Sequence, residues 1–145
     1  MQAARRNVTD WDEFNTRIIN EFRANEGRVA ESDGHPTILI HHIGAKSGTE
    51  RVTPLASFPE DGGTMLIIAS KAGSPTNPDW YHNVKANPTF TVETGTETFL
   101  VHAEEVVGPE RDEIFARVAA DRPNFDEYQQ KTTRTIPILR LTRVA

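Results

Sequence analysis

The sequence predicts an α+β fold, mainly β: a small antiparallel barrel of about six strands, with an N-terminal helix and further helices packed over its ends or gaps. Three observations carry this reading. β-branched, apolar runs alternate with short glycine-bearing turns, as at residues 37–43, 65–69 and 90–94. Amphipathic helical patterns lie near the start of the chain and at residues 109–120. Most consecutive strands are joined without the crossover helix that a doubly wound parallel sheet requires.

Each element has a local reason. Trp11, Phe14, Ile18 and Phe22 recur every three or four residues, with Asp12, Glu13, Arg17 and Arg23 off that stripe, which is a helix needing a surface to cover. Thr9 or Asp10 is the expected N-cap and Gly27 a left-handed stop. Residues 1–8 are read as a flexible lead-in to a single domain spanning 1–145. Residues 37–43 form a strand, 44–48 a turn, and 51–58 the returning strand, where Pro54 requires a sheet edge or a bulge. Asp61-Gly62-Gly63 turns the chain into a strand at 65–69. After the Pro- and Gly-rich segment 71–78, Asn77 is expected to cap a short helix with Pro78 at its first position, and Asn87-Pro88 to end it. Strands at 90–94 and 98–107 meet at Gly95, and the next helix turns Ile114, Phe115 and Val118 inward. One or two helical turns are expected at 124–131, and a strand at 136–142 closes the pattern.

The composition narrows the chemistry. With 145 residues, 37% hydrophobic and 26% charged, the chain can bury a core without metals or disulfides. It has no cysteine, which removes thiolate chemistry. A net charge of −5 argues against a nucleic-acid partner. No stretch approaches the ~20 apolar residues of a membrane span. Peripheral membrane contact stays open, although Asp12, Glu13 and Glu21 oppose the basic residues of the first helix. The opening residues lack the apolar core of a secretory signal, so a cytoplasmic location is expected.

Chemistry concentrates in two places. The run Gly44-Ala45-Lys46-Ser47-Gly48-Thr49-Glu50-Arg51 combines glycines that allow positive φ and close backbone approach, a hydroxyl, a lysine point charge and an arginine suited to a bidentate phosphate contact. The same run also suits a solvated hairpin tip. The second region runs from Ala69, Ser70 and Lys71 to Asp79, Trp80, Tyr81, His82 and Asn83, where a loop and a helix N-terminus offer backbone donors. Trp80 reads equally as a core anchor. His41 and His42 are adjacent on a strand and point to opposite faces, and no histidine spacing indicates a metal site. Neither an acid pair nor a nucleophile elbow is present.

The pattern Gly-x-Lys-Ser-Gly-x-x-Arg-x-x-Pro-Leu at residues 44–55 resembles a signature of deazaflavin-dependent nitroreductases of actinobacteria. The block at 69–88 is similar to the next signature of that family. A third match is Phe125-Asp126-Glu127-Tyr128 followed by Arg134-Thr135-Ile136-Pro137. The resemblance implies a split β-barrel related to flavin-mononucleotide (FMN)-binding oxidoreductases, often paired as a homodimer. It also implies coenzyme F420, an 8-hydroxy-5-deazaflavin with a phosphodiester and an oligoglutamate tail. Carried over by position, Lys46, Ser47 and Arg51 hold the phosphate, Ala45 beside them belongs to the cofactor site, and Val52, Thr53, Pro54, Leu55 and Ala56 run along the ring. Ile68, Ala69, Ser70, Lys71, Asp79, Trp80, Tyr81, His82 and Asn83 complete the groove. Phe125 and Tyr128 cover the substrate side, with Tyr128 as a proton donor or a wall.

The implied reaction passes hydride from the reduced deazaflavin to an electron-poor small molecule: a quinone, nitroaromatic or activated enone. Ala45 stands where the family often has arginine, Phe125 where it often has tyrosine, and Ala56 where some members have an aromatic. These departures touch substrate preference more than cofactor binding. An FMN oxidoreductase on the same barrel, or a non-catalytic deazaflavin carrier, are the alternative readings.

Overall fold

The computed structural model describes the backbone of residues 2–30 and 35–144, and side chains within these ranges from residue 13 onward. Helix α1 (Gln2–Ala24) precedes strands β1 (Thr37–Ile43), β2 (Glu50–Ala56), β3 (Phe58–Pro59) and β4 (Met65–Ile68). Helix α2 (Asp79–Ala86), strands β5 (Thr89–Thr94) and β6 (Glu97–Val106), helices α3 (Gly108–Asp121) and α4 (Asn124–Gln130), and strand β7 (Ile138–Arg143) follow.

All strand pairs are antiparallel, in one sheet ordered β2-β1-β5-β6-β7-β4-β3. The two ends of that order, β2 and β3, are separated in the chain by Ser57 alone. Residues 50–59 therefore pair with β1 through their first part and with β4 through their last, which curls the sheet toward closure. Ser57 makes the corner: its N–H and its hydroxyl both donate to the Pro36 carbonyl at 2.8 Å. This corner is why a seventh strand stands where the sequence suggests six. Pro54 lies in β2, a sheet edge, where its missing N–H costs least.

Strand β1 is buried on both faces, which explains its unbroken apolar run. Ile38 and Ile40 point into the barrel core with Ile67, Val92, Val101 and Leu139. Leu39 points the other way and packs with Ile18, Phe22 and Val29 beneath α1. Phe14 of the predicted stripe is 40% exposed, and the side chain of Trp11 lies outside the described residues. Helix α1 begins at Gln2, so the expected caps Thr9 and Asp10 lie within it, as does most of the lead-in expected to be flexible. Gly27 takes φ +89° as predicted, and a Cβ there would stand 2.5 Å from the Gly95 backbone. A separate cluster buries Ile114, Phe115 and Val118 of α3 against Phe58, Ile68 and Ile136.

Candidate cofactor site

The turn after β1 is closed by its own backbone. Gly44 N–H donates to Thr49 O and Gly48 N–H to Gly44 O, both at 2.9 Å. Gly48 has φ +69°, but Gly44 does not need a positive φ, contrary to expectation. Gly44 leaves room for Ser47: a Cβ there would lie 2.3 Å from Ser47 Oγ and displace it from its place over the glycine, where it accepts from Thr49 N–H at 3.2 Å. Ala45 N–H donates to Asn83 Oδ1 at 2.9 Å. Four of the six N–H groups from Gly44 to Thr49 are thus engaged, and those of Lys46 and Ser47 remain without a partner among the described residues.

This turn faces the start of α2 across a cleft of about 610 Å³ lined by Gly44, Ala45, Lys46, Ser47, Arg51, Asp79, His82 and Asn83. Lys46 and Arg51 have no hydrogen-bond or ion-pair partner among the described residues. Elsewhere Arg23 is bound to Glu93, Arg140 to Glu60 and Lys85 to Glu105. With Asp79 the only acid on the wall, the cleft carries a net charge of +1 in a chain of −5. Free N–H groups and uncommitted cations at a helix N-terminus form an anion site.

Behind the cleft wall, from Asn83 inward, lies a hydrogen-bonded relay. Asn83 Nδ2 lies 2.9 Å from His42 Nδ1, and His42 Nε2 lies 2.8 Å from Thr53 Oγ1. Register explains the meeting: His42 is opposite Arg51 on paired strands, so Thr53 is its diagonal neighbour on the same face. His42 is 3% exposed, and its pKa is pushed down to about 4, chiefly by burial and then by Arg51. The imidazole is neutral at pH 7. The unfolded chain takes up this proton near pH 6.5 and the folded chain only near 4, so the associated stability is full above pH 6.5 and is lost as pH falls toward 4. Between pH 7.5 and 4.5 the wild type should lose about 2 kcal/mol more stability than His42→Gln, measured by urea unfolding. Equal losses would show that His42 titrates normally.

Other sequence-predicted residues divide differently. Side chains of β2 alternate: Leu55 faces the barrel core with Ile38, whereas Val52 packs under α1. By the same alternation Thr53 shares the core side with Leu55, and Pro54 and Ala56 share the other with Val52. Residues 52–56 therefore cannot all present side chains to one ring; what runs continuously along the strand is the unpaired backbone edge of β2. Trp80 is 7% exposed in the barrel core, so the core-anchor reading holds. Ile68 and Ala69 are also buried core residues. Tyr81 turns away from the cleft and donates to Glu105 at 2.7 Å, with burial and that carboxylate pushing its pKa up to about 12. The resemblance placed each of them in the groove; the side chains of Trp80, Ile68 and Ala69 pack in the core and that of Tyr81 pairs with Glu105.

Phe125, expected on the substrate side, is 7% exposed and edge-on to Phe58 at 5.7 Å, anchoring α4. Tyr128 is half-buried, and its hydroxyl accepts from Asn124 Nδ2 at 3.2 Å. It adjoins a 3₁₀ turn, Lys71–Gly73, where a Cβ on Gly73 would lie 2.7 Å from Tyr128 O. Lys71 and Ala72 both take left-handed φ, +46° and +53°, an uncommon conformation for residues with side chains. Asn77 does not cap α2; Pro78 occupies the cap position and Asn77 Oδ1 accepts from Arg134 at 2.7 Å. Arg134 also donates to the carbonyls of Ala69, Ser70 and Ser74 at 3.1, 2.7 and 2.9 Å. His42 and Arg134 went unassigned because their partners come from distant segments.

A curled antiparallel barrel with a cationic, N–H-lined cleft beside an open strand edge is a binding protein for a phosphorylated organic cofactor. The chain belongs to the F420H2-dependent quinone reductase family, whose model matches residues 13–143. An F420H2-dependent quinone reductase of Mycobacterium tuberculosis is 37% identical over 127 residues, covering 84% of this chain and 85% of its own. The solved structure of an F420H2-dependent reductase is 39% identical, covers 73% of this chain and 93% of its own, and superposes with a TM-score of 0.64. A second solved structure, described only as a domain-swapped dimer, is 36% identical, covers 93% of this chain and 99% of its own, and has a TM-score of 0.67. The cofactor of this family is coenzyme F420, and its reaction is reduction of a quinone by the reduced deazaflavin. The expected deazaflavin reductase is thus found, in a family named for quinone rather than nitro reduction.

Proposed function

We propose that the cleft between the Gly44–Gly48 turn and α2 holds the phosphodiester of F420, with the ring along the free edge of β2. The observation that carries this is the pair of uncommitted cations, Lys46 and Arg51, beside the two free N–H groups at the turn tip. The donor set suits a phosphodiester: two backbone N–H groups, a lysine and an arginine. The unpaired N–H and C=O groups of β2 suit the alternating acceptors and donors of a pyrimidinedione edge. When bound, the deazaflavin supplies a two-electron hydride. The protein needs only to orient that ring, neutralise the phosphate and keep water from the transfer path. Tyr128, assigned to the acceptor side by the family resemblance, is a proton donor or a wall there; its hydroxyl hydrogen is not used by Asn124, which supports the donor role. Lys71 serves the carboxylates of the tail.

We further propose that the protein acts in the cytoplasm as a homodimer, in line with the domain-swapped relative. Quinones are the principal acceptors, with nitroaromatics and activated enones as secondary ones. Fluorescence titration should show F420 binding at least about tenfold more tightly than FMN, a difference of about 1.4 kcal/mol. Mixing the reduced complex with a 1,4-naphthoquinone in a stopped-flow instrument should reoxidise the deazaflavin. Tighter FMN binding would overturn the cofactor choice. F420 binding without reoxidation by any of the three acceptor classes would indicate a carrier.

A further inference from the structure

We propose that His42 is a positioning residue for cofactor binding, holding the Gly44–Gly48 turn in its phosphate-accepting orientation through Asn83. The inference rests on the phosphate reading of that turn. No part of the sequence pattern assigned His42 a role; its placement does.

The direction of every bond in the relay follows from one fixed donor. Ala45 N–H can only donate, so the Asn83 atom 2.9 Å away is its carbonyl oxygen. That choice turns the Asn83 amide NH2 toward His42 Nδ1, also at 2.9 Å, so Nδ1 must be the unprotonated acceptor. The imidazole then carries its hydrogen on Nε2 and donates to Thr53 Oγ1 at 2.8 Å. Reversing any member would set two donors or two acceptors against each other. Asn83 and His42 are 8% and 3% exposed, so water competes little for these bonds.

The relay joins four elements: β1 through His42, the turn after it through Ala45, α2 through Asn83 and β2 through Thr53. Tying up the Ala45 N–H fixes the Gly44–Ala45 peptide at the start of the turn, whose Lys46 and Ser47 N–H groups stay free among the described residues. Asn83 was expected to touch the cofactor itself. Its carboxamide oxygen and nitrogen are instead already engaged with Ala45 and His42. His42 sits opposite Arg51 on the β1–β2 ladder but its hydrogen bonds go to Asn83 and Thr53, so its hydrogen-bonded route to the turn N–H groups is through Asn83.

The test compares F420 with 8-hydroxy-5-deazariboflavin, which has the same ring system but no phosphate. His42→Phe keeps a ring of similar size and removes both hydrogen bonds. It should weaken F420 by about tenfold or more while changing binding of the phosphate-free ligand by less than about twofold. His42→Gln, whose amide oxygen can accept from Asn83 and whose amide nitrogen can donate to Thr53, should restore F420 affinity to within about threefold of wild type. Thr53→Val cuts only the far end of the relay, so it tests the idea even if His42→Phe folds poorly, and it should give a smaller loss confined to F420. Equal losses for the two ligands, or unchanged F420 binding in both His42→Phe and Thr53→Val, would overturn the proposal. A Lys46→Ala/Arg51→Ala protein separates the two readings. If it discriminates against F420 while the relay variants do not, the phosphate site stands and the positioning role fails. If it too treats both ligands alike, the phosphate reading is the one that fails.

Discussion

Replacing Lys46 and Arg51 together with alanine should raise the Kd for F420 by about 100-fold or more, because two charge-assisted contacts at ~1.5–3 kcal/mol each are removed. The melting temperature should move by no more than about 2 °C, since neither side chain pairs with any described group of the protein and exposed charges contribute little to folding. The contrast between these two responses is the diagnostic. A structural cation such as Arg140, held by Glu60 at 2.8 and 2.9 Å, should show the reverse when substituted. Isothermal titration and a thermal melt on the same preparation decide the matter. F420 affinity within about threefold of wild type would remove the phosphate from this cleft.

Arg134→Leu should destabilise the protein by about 3–4 kcal/mol and lower its melting temperature by about 8–12 °C. One guanidinium satisfies the carbonyls of Ala69, Ser70 and Ser74 and the side chain of Asn77, gathering both ends of residues 69–77. Those residues include the left-handed Lys71 and Ala72, a conformation that persists only when its surroundings over-determine it. The arginine is itself placed by α4, because Gln129 Nε2 donates to the Arg134 carbonyl at 2.7 Å. Burial holds the Arg134 pKa below its usual value without neutralising it, so the clamp should act across the whole accessible pH range. Arg134→Lys should recover little of the loss, as one ammonium cannot span four acceptors in a plane. Urea unfolding measures both variants; a cost below about 1 kcal/mol would mean that water replaces the guanidinium without strain in the turn.

Much of the barrel was legible because its determinants are local. Apolar β-branched runs, the glycines at 44, 48, 62, 63 and 95, and the Pro54 edge signal placed most strands close to where they lie. The corner at Ser57 was not, since residues 51–58 keep a strand-like pattern straight through it. Its break depends on the Pro36 carbonyl, a partner from another segment. The start of α1 was misjudged because Thr9 and Asp10 look like caps whether or not a helix continues behind them.

In the site, charge and glycine spacing identified Lys46, Ser47 and Arg51, which do share a cleft. The residues transferred from the family as a contiguous block fared unevenly. Within α2, Asp79, His82 and Asn83 face the cleft, whereas Trp80 is buried and Tyr81 points toward Glu105. A helix distributes neighbours around its axis, so a contiguous motif cannot be a contiguous wall. His42 was visible as a strand histidine of fixed parity, but its partners on β2 and α2 could be known only after the strands were paired.

The most direct test is a crystal structure of the protein with F420 bound. The expected result is the phosphodiester within hydrogen-bonding distance, about 3 Å, of the Lys46 and Ser47 N–H groups and of the Arg51 guanidinium, with the Asn83–His42–Thr53 relay unchanged. A phosphodiester seated elsewhere, for example against Lys71 with solvent filling the Gly44–Asn83 cleft, would contradict this assignment of the site.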